Sequence, residues 1–253
     1  MVSKTEVIVR DNPTHLAKAG AELFTSVAQA SVKERGRFAV AVSGGSTPRL
    51  MHRLLAEEPY CSKTPWDKTS FFWVDERCVP VTDEGSNYGA AKIDLLEKVP
   101  LPPAQIYSMP VEAPPDEGAA EYQKTIKNLF QLGEGQFPVF DLIFLGIGAD
   151  GHTASLFPGQ KALQETKKLV IAVKGGNPDV SRLTMTYPTL NQARRIVILV
   201  SGKGKATVLK TLFEDKQARL PAGRIKPTNG TLTWLVDRDA AVELGKEEAD
   251  GGS

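Results

Sequence analysis

Asp141-Leu-Ile-Phe-Leu-Gly-Ile-Gly-Ala-Asp-Gly-His-Thr-Ala-Ser-Leu-Phe-Pro158 is the stretch that decides how the chain is read. Residues 141 to 145 have strand character and run straight into three glycines, an aspartate and a histidine. The apolar part is short and rich in Leu, Ile and Phe, which suits a strand covered on both faces, and glycines after it let the backbone turn tightly near a ligand. Asp150 and His152 therefore fall at the carboxyl end of a buried strand, where α/β proteins hold their ligands.

The same residues spell Gly146-x-Gly148-x-x-Gly151, a dinucleotide-binding pattern. That pattern needs a helix opening at its third glycine, and here Pro158 follows soon after. Glu165, the nearest acidic candidate for a ribose contact, has no clear second strand leading up to it. A redox cofactor is not expected.

A chain of 253 residues can bury a sizeable core as one large α/β domain, taken here as residues 1–245, with a polar, glycine-ended tail at 246–253 expected to fray. Lys plus Arg number 31 against 30 Asp plus Glu, so the net charge of +1 offers no field for gripping a nucleic-acid backbone. Met1 to Glu6 lacks the apolar core of a signal peptide, and the aliphatic run Ile196 to Val200 is far too short to cross a bilayer. No membrane association and a cytoplasmic location are expected. Cys61 and Cys78 form no CxxC pair, and His15, His52 and His152 lie far apart, so no metal site is expected. No protein partner can be read from the sequence.

Strand-like and helix-like segments alternate nearly from end to end. Thr5 to Arg10 reads as a strand; Asn12-Pro13 then caps a helix whose Leu16, Ala19, Leu23, Phe24 and Val27 recur at helical spacing. Further units are Arg37 to Ser43 with a helix from Pro48, Phe71 to Val74 with a helix near Asn87 to Glu97, and Ile196 to Val200 with a helix from Lys203 to Phe213. Leu183 to Tyr187 and Thr231 to Val236 read as strands, Gln105 to Ser108 as a short one, and Pro100 to Pro115 as a surface excursion. This alternation predicts a three-layer αβα, Rossmann-like fold: a mostly parallel sheet with helices on both faces.

Four strand ends then carry anion-binding chemistry along one carboxyl edge. Ser43-Gly44-Gly45-Ser46-Thr47-Pro48 frees backbone amides and predicts a helix capped by Thr47 and begun by Pro48, with an anion on its N-terminus. Asp75-Glu76-Arg77 follows the apolar Phe71 to Val74 and ends in a guanidinium suited to bidentate anion binding. The third end carries Asp150 and His152, the latter in a position for general acid or base work, whereas His15 and His52 sit in helical patterns as surface or packing residues. The fourth is Ser201-Gly202-Lys203-Gly204-Lys205, which lacks the spacing of a P-loop. Arg182 is either another anion contact or an exposed strand start.

With these residues in view, the chain resembles the 6-phosphogluconolactonases of the glucosamine-6-phosphate isomerase/6-phosphogluconolactonase superfamily. The resemblance runs from about Val40 to Trp234 and rests on Ser43 to Pro48, Asp75-Glu-Arg77 with Val79-Pro80 and Ser86-Asn87, Gly146 to Pro158, Arg182-x-Thr184 and Gly202-x-x-Lys205, in the family's order. It implies hydrolysis of 6-phospho-D-glucono-1,5-lactone without cofactor or metal, His152 as the base that activates water and Asp150 as its orienting partner. It also implies Gly44, Gly45, Ser46, Thr47, Arg77 and Lys205 as substrate-binding residues, with Arg182 a further candidate. The isomerases continue from the Asp-Gly-His turn into an Asn-Glu-Pro bearing a catalytic glutamate; Leu156-Phe157-Pro158 stands here instead and favours the lactonase. A glucosamine-6-phosphate isomerase/deaminase and a non-catalytic sugar-phosphate sensor are the alternatives.

Overall fold

The computed structural model describes residues 4–215 and 217–245, so the tail expected at 246–253 lies outside the described residues. In chain order the elements are β1 (Lys4–Arg10), α1 (Pro13–Arg35), β2 (Phe38–Val42), α2 (Ser46–Leu55), α3 (Tyr60–Lys63), β3 (Thr69–Trp73), β4 (Asp75–Arg77), α4 (Asn87–Ala91), β5 (Ile106–Tyr107) and α5 (Pro115–Phe130). They continue with β6 (Leu142–Leu145), β7 (Val170–Gly175), β8 (Val180–Met185), α6 (Tyr187–Leu190), β9 (Arg195–Val200), α7 (Ala206–Glu214), β10 (Thr231–Asp237) and α8 (Arg238–Ala241).

Local chemistry sets several boundaries. Asn12 caps α1 by accepting from the His15 N–H, Pro13 begins it, and Gly36 closes it at φ 72°, donating to the Val32 carbonyl. The helix expected near Asn87 to Glu97 is α4 followed by a π-helical turn at Lys92–Leu96.

A seven-stranded sheet runs in the order β1-β10-β9-β6-β2-β3-β5, and all of its pairings are parallel. After β2 the chain moves outward through β3 and β5; after β6 it moves the other way through β9 and β10. β2 and β6 are neighbours, joined by Ala41 against Ile143, so the order reverses between them and opens a crevice at their carboxyl ends.

Alternation along β3 shows why both faces are covered. Phe71 and Trp73 point to one side, where Phe71 meets His52 of α2 and Trp73 meets Tyr88. Phe72 points to the other, where it packs on Tyr107, Tyr122, Phe130 and Phe140. α2 and α5 thus lie on opposite faces of the sheet, and the αβα layering read from the sequence is the observed one.

A second sheet was not foreseen. β4, β8 and β7 form an antiparallel three-stranded sheet, so the strand expected over Leu183 to Tyr187 begins at Val180, ends at Met185 and belongs to this sheet. Glu76 opposite Leu183 and Ile171 opposite Thr184 give it no simple polar and apolar alternation to read. α5 was also missed, although Pro115 starts it and Ala119, Tyr122 and Ile126 recur at helical spacing on its buried face.

Candidate active site

The crevice between β2 and β6 is a cleft of about 210 Å³. Gly44 and Gly45 line it from the loop after β2, Gly146, Gly148 and His152 from the loop after β6, Arg77 and Arg182 from the second sheet, and Lys205 from the turn before α7. All four strand ends picked out by sequence therefore contribute to one place.

His152 and Asp150 are a bonded pair. The ring Nδ1 lies 2.6 Å from Asp150 Oδ1, and the His152 backbone N–H donates to the same oxygen at 3.1 Å. The turn is closed by Gly148 N–H to the His152 carbonyl at 2.8 Å and by the Thr153 hydroxyl to the Gly146 carbonyl at 2.8 Å. Gly148 has to be glycine, because a Cβ there would stand 2.1 Å from His152 Nδ1 and 2.6 Å from Asp150 Oδ1. Burial pushes the Asp150 carboxyl up, but the His152 backbone and ring donors, together with the imidazole's charge, more than offset this and hold it below the ordinary carboxylate range. An ionised Asp150 fixes the proton of a neutral imidazole on Nδ1 and leaves the Nε2 lone pair free. Phe157 backs the ring, centroid to centroid 4.8 Å.

The first loop departs from its reading in one respect. Gly45, at φ 111°, occupies the cap position and Ser46 is the first helical residue, so Thr47 is not the cap. No side chain caps α2, which leaves first-turn amides without intrahelical partners at the cleft. The side chains of Ser46 and Thr47 do not line the cleft; Gly44 and Gly45 do.

The run Asp75-Glu76-Arg77 splits into different roles. Glu76 is 1% exposed and its carboxylate accepts from the N–H groups of Arg77, Asn87 and Tyr88 at 2.7, 2.8 and 2.6 Å. Burial pushes its carboxyl above the ordinary range although those donors oppose the shift. Asp75 lines the cleft and takes the Ser155 hydroxyl at 2.6 Å. Arg77 stands directly opposite Arg182 in the β4–β8 ladder.

Arg182 is not an exposed strand start: it is 4% exposed, donates to the Gly175 and Pro178 carbonyls and lies over Phe157 at 5.4 Å. Burial first, then the charge of Arg77, lowers its affinity for its own proton. Like charges directly opposed on a ladder are destabilising. An anion between the two guanidinium groups would relieve that strain.

At the fourth loop, Asp237 at the end of β10 is fully buried and accepts from the Ser201 hydroxyl at 2.6 Å and the Gly202 N–H at 3.0 Å, so it fixes the turn that carries Lys205. Sequence reasoning gave no role to Asp237, Ser155 or Asn87, although Ser155 and Asn87 lie within the motifs that carry the resemblance. Only Asn87 carried a local signal, the Ser86 side chain that caps α4 by accepting from the Gly89 N–H. Among the described residues no group of three or more His, Cys, Asp or Glu could hold a metal ion. No helix opens at Gly151, as a dinucleotide site would require.

Fold and cleft together define an α/β protein with a histidine–carboxylate pair beside a cluster of cationic side chains at the switch point of a parallel sheet. Residues 11–234 match the family described as glucosamine-6-phosphate isomerases/6-phosphogluconolactonase, and the chain belongs to it. It is 37% identical over 238 residues to 6-phosphogluconolactonase of Rattus norvegicus, covering 93% of this chain and 92% of that one. It is 41% identical over 218 residues to 6-phosphogluconolactonase of a Synechocystis strain, covering 85% and 88%. Among solved structures, 6-phosphogluconolactonase from Trypanosoma cruzi superposes with a TM-score of 0.85 at 30% identity, covering 96% of this chain and 98% of that one. A monomeric glucosamine-6-phosphate deaminase superposes with a TM-score of 0.78 at 21% identity, covering 94% and 99%, and shares the fold.

Proposed function

We propose that this chain is a 6-phosphogluconolactonase, an enzyme that hydrolyses 6-phospho-D-glucono-1,5-lactone to 6-phospho-D-gluconate. The observation that carries this reading is the His152–Asp150 pair at 2.6 Å, facing a cleft that also holds Arg77, Arg182 and Lys205. A lactone is an activated ester, so hydrolysis needs a base for water and donors for the developing oxyanion. His152 Nε2 takes a proton from water while the water oxygen bonds to the lactone carbonyl carbon. The carbonyl electrons pass onto its oxygen, return as the bond to the ring oxygen breaks, and the imidazolium gives its proton to that leaving oxygen. Asp150 holds the ring in the required tautomer and favours the transient imidazolium.

The substrate phosphate is assigned to the amides of the Gly44–Gly45 turn at the N-terminus of α2, with Lys205 and the Arg77–Arg182 pair supplying charge. Since the second sheet supplies Arg77 and Arg182 to the cleft formed by the first, we take residues 1–245 as one catalytic unit. The cysteines Cys61 and Cys78 are free thiols, which suits a reducing cytoplasm. Among the described residues no helix is long and apolar enough to cross a membrane.

The isomerase reading lacks a carboxylate where it is needed: Phe157, only 6% exposed, packs against His152 instead. The test is acid release from 6-phosphogluconolactone against spontaneous hydrolysis in the same buffer, run beside ammonia release from glucosamine 6-phosphate. Rapid lactone hydrolysis with no ammonia supports the assignment; ammonia release, or hydrolysis at the background rate, overturns it.

A further inference from the structure

Asn87 opens α4 on the wall of the cleft and is 6% exposed. Its position is fixed from two sides. Its backbone N–H donates to Glu76 Oε1 at 2.8 Å, the buried carboxylate that also takes the Tyr88 N–H, and its side-chain Nδ2 donates to the Asp75 carbonyl at 2.9 Å. A carbonyl oxygen can only accept, so the nitrogen must be the atom facing Asp75, and the amide has one orientation.

That orientation aims Oδ1 at the Gly44 turn, where a Cβ on Gly44 would stand 1.8 Å from it. Glycine there is what lets the amide close over the loop. Among the described residues no N–H or O–H donates to Oδ1, while the other end of the same amide is bonded. Oδ1 is not among the sealed side-chain atoms that lack a partner, so it opens onto the cleft, where an amide oxygen can take a hydrogen bond from a donor on a bound molecule.

The sign of that acceptor selects the ligand group. An ionised phosphate presents only acceptors, so Oδ1 repels it. A sugar hydroxyl donates. We infer that Asn87 is a specificity-determining residue whose Oδ1 accepts a hydrogen bond from a ring hydroxyl of the bound lactone, next to the phosphate turn but separate from it. This rests on the lactonase reading above. A site built to pair a substrate hydroxyl rejects the analogue that lacks it, because the protein acceptor is then stranded.

The experiment compares the wild type and Asn87→Leu, a substitution of the same branched shape without polar atoms, on 6-phosphogluconolactone and on its series of monodeoxy analogues, with inorganic phosphate as a competitive inhibitor. In the wild type, one monodeoxy lactone should lose at least about tenfold in kcat/KM. In Asn87→Leu the parent lactone should fall to the level of that analogue, so the ratio collapses to about one, while the inhibition constant for phosphate stays within about twofold. Uniform loss on every analogue, a weakened grip on phosphate, or retained selectivity in Asn87→Leu would each overturn the assignment. If Asn87→Leu fails to fold, the wild-type series still decides: equal rates on all analogues refute the contact. A wild type that hydrolyses no lactone above background instead sinks the lactonase reading itself.

Discussion

Two histidines, one in the core and one on the cleft, show how little residue type says without surroundings. His52, on α2, is 3% exposed, packs on Phe71 and has neither ring nitrogen hydrogen-bonded. Its pKa is lowered from the ordinary 6.5 to about 4, chiefly by burial and secondarily by Arg49, against the pull of Asp94. His152 is 31% exposed on its side chain and bonded through Nδ1 to an ionised carboxylate. One ring is a packing unit kept neutral by desolvation; the other lines a polar cleft with its Nδ1 held by a carboxylate. A catalytic base needs access and an orienting partner more than it needs a perturbed environment.

Substitutions should separate the two regions. The largest effect is expected at His152→Ala: kcat should fall by about 10²–10⁴-fold, with the thermal midpoint and phosphate inhibition near wild type. Steady-state kinetics beside circular dichroism measures both, and near-wild-type turnover in a folded variant would remove His152 from the mechanism. Arg77→Ala and Lys205→Ala come next. Each should raise KM by about 10- to 100-fold, in line with about 1.5–3 kcal/mol for a charge-assisted hydrogen bond, and gluconolactone without phosphate should be a correspondingly poor substrate. Equal efficiency on the unphosphorylated lactone would dissolve the anion pocket. Asp150→Asn should lower kcat by about tenfold with KM little changed, a modest loss because half of that carboxylate's side chain, 51%, is exposed to water.

His52→Leu should leave kinetics alone and alter acid stability only. A group whose pKa is lowered on folding binds more protons when unfolded, so stability is full above about 6.5 and declines as pH falls toward about 4. The integrated loss is about 3 kcal/mol. Denaturant titrations across that range should show a flatter pH dependence for His52→Leu than for the wild type; parallel curves would mean that His52 does not govern it.

The same contrast between isolated and connected residues explains what the sequence made legible. The parallel sheet was readable because its central strands β2, β6 and β9 are apolar, almost wholly buried runs that lead into glycine turns, as Leu142 to Leu145 does into Gly146. Its carboxyl edge followed from topology, and with it Gly44, Gly45, His152 and Lys205. The antiparallel sheet was not readable, since Arg77 and Arg182 become neighbours only through pairing between distant segments, and its buried charges mimic a solvated loop. Thr47 read as a cap because a hydroxyl beside a proline usually is one; the positive φ of Gly45 moved the helix start back to Ser46. Glu76, Asn87 and Asp237 hold the cleft by hydrogen bonds to loops remote in sequence, and no periodicity encodes such bonds.

The most direct test of His152 as a neutral general base is the pH dependence of kcat/KM for 6-phosphogluconolactone, with spontaneous hydrolysis subtracted at each pH. Asp150 stays ionised because its carboxyl lies below the ordinary range, so protonation of His152 is the event that switches the base off. The expected profile rises from acid and levels off once the imidazole is neutral. The acid limb should be absent from the residual activity of His152→Ala. A rate that falls as pH rises through neutrality, or an acid limb that survives in His152→Ala, would contradict the assignment.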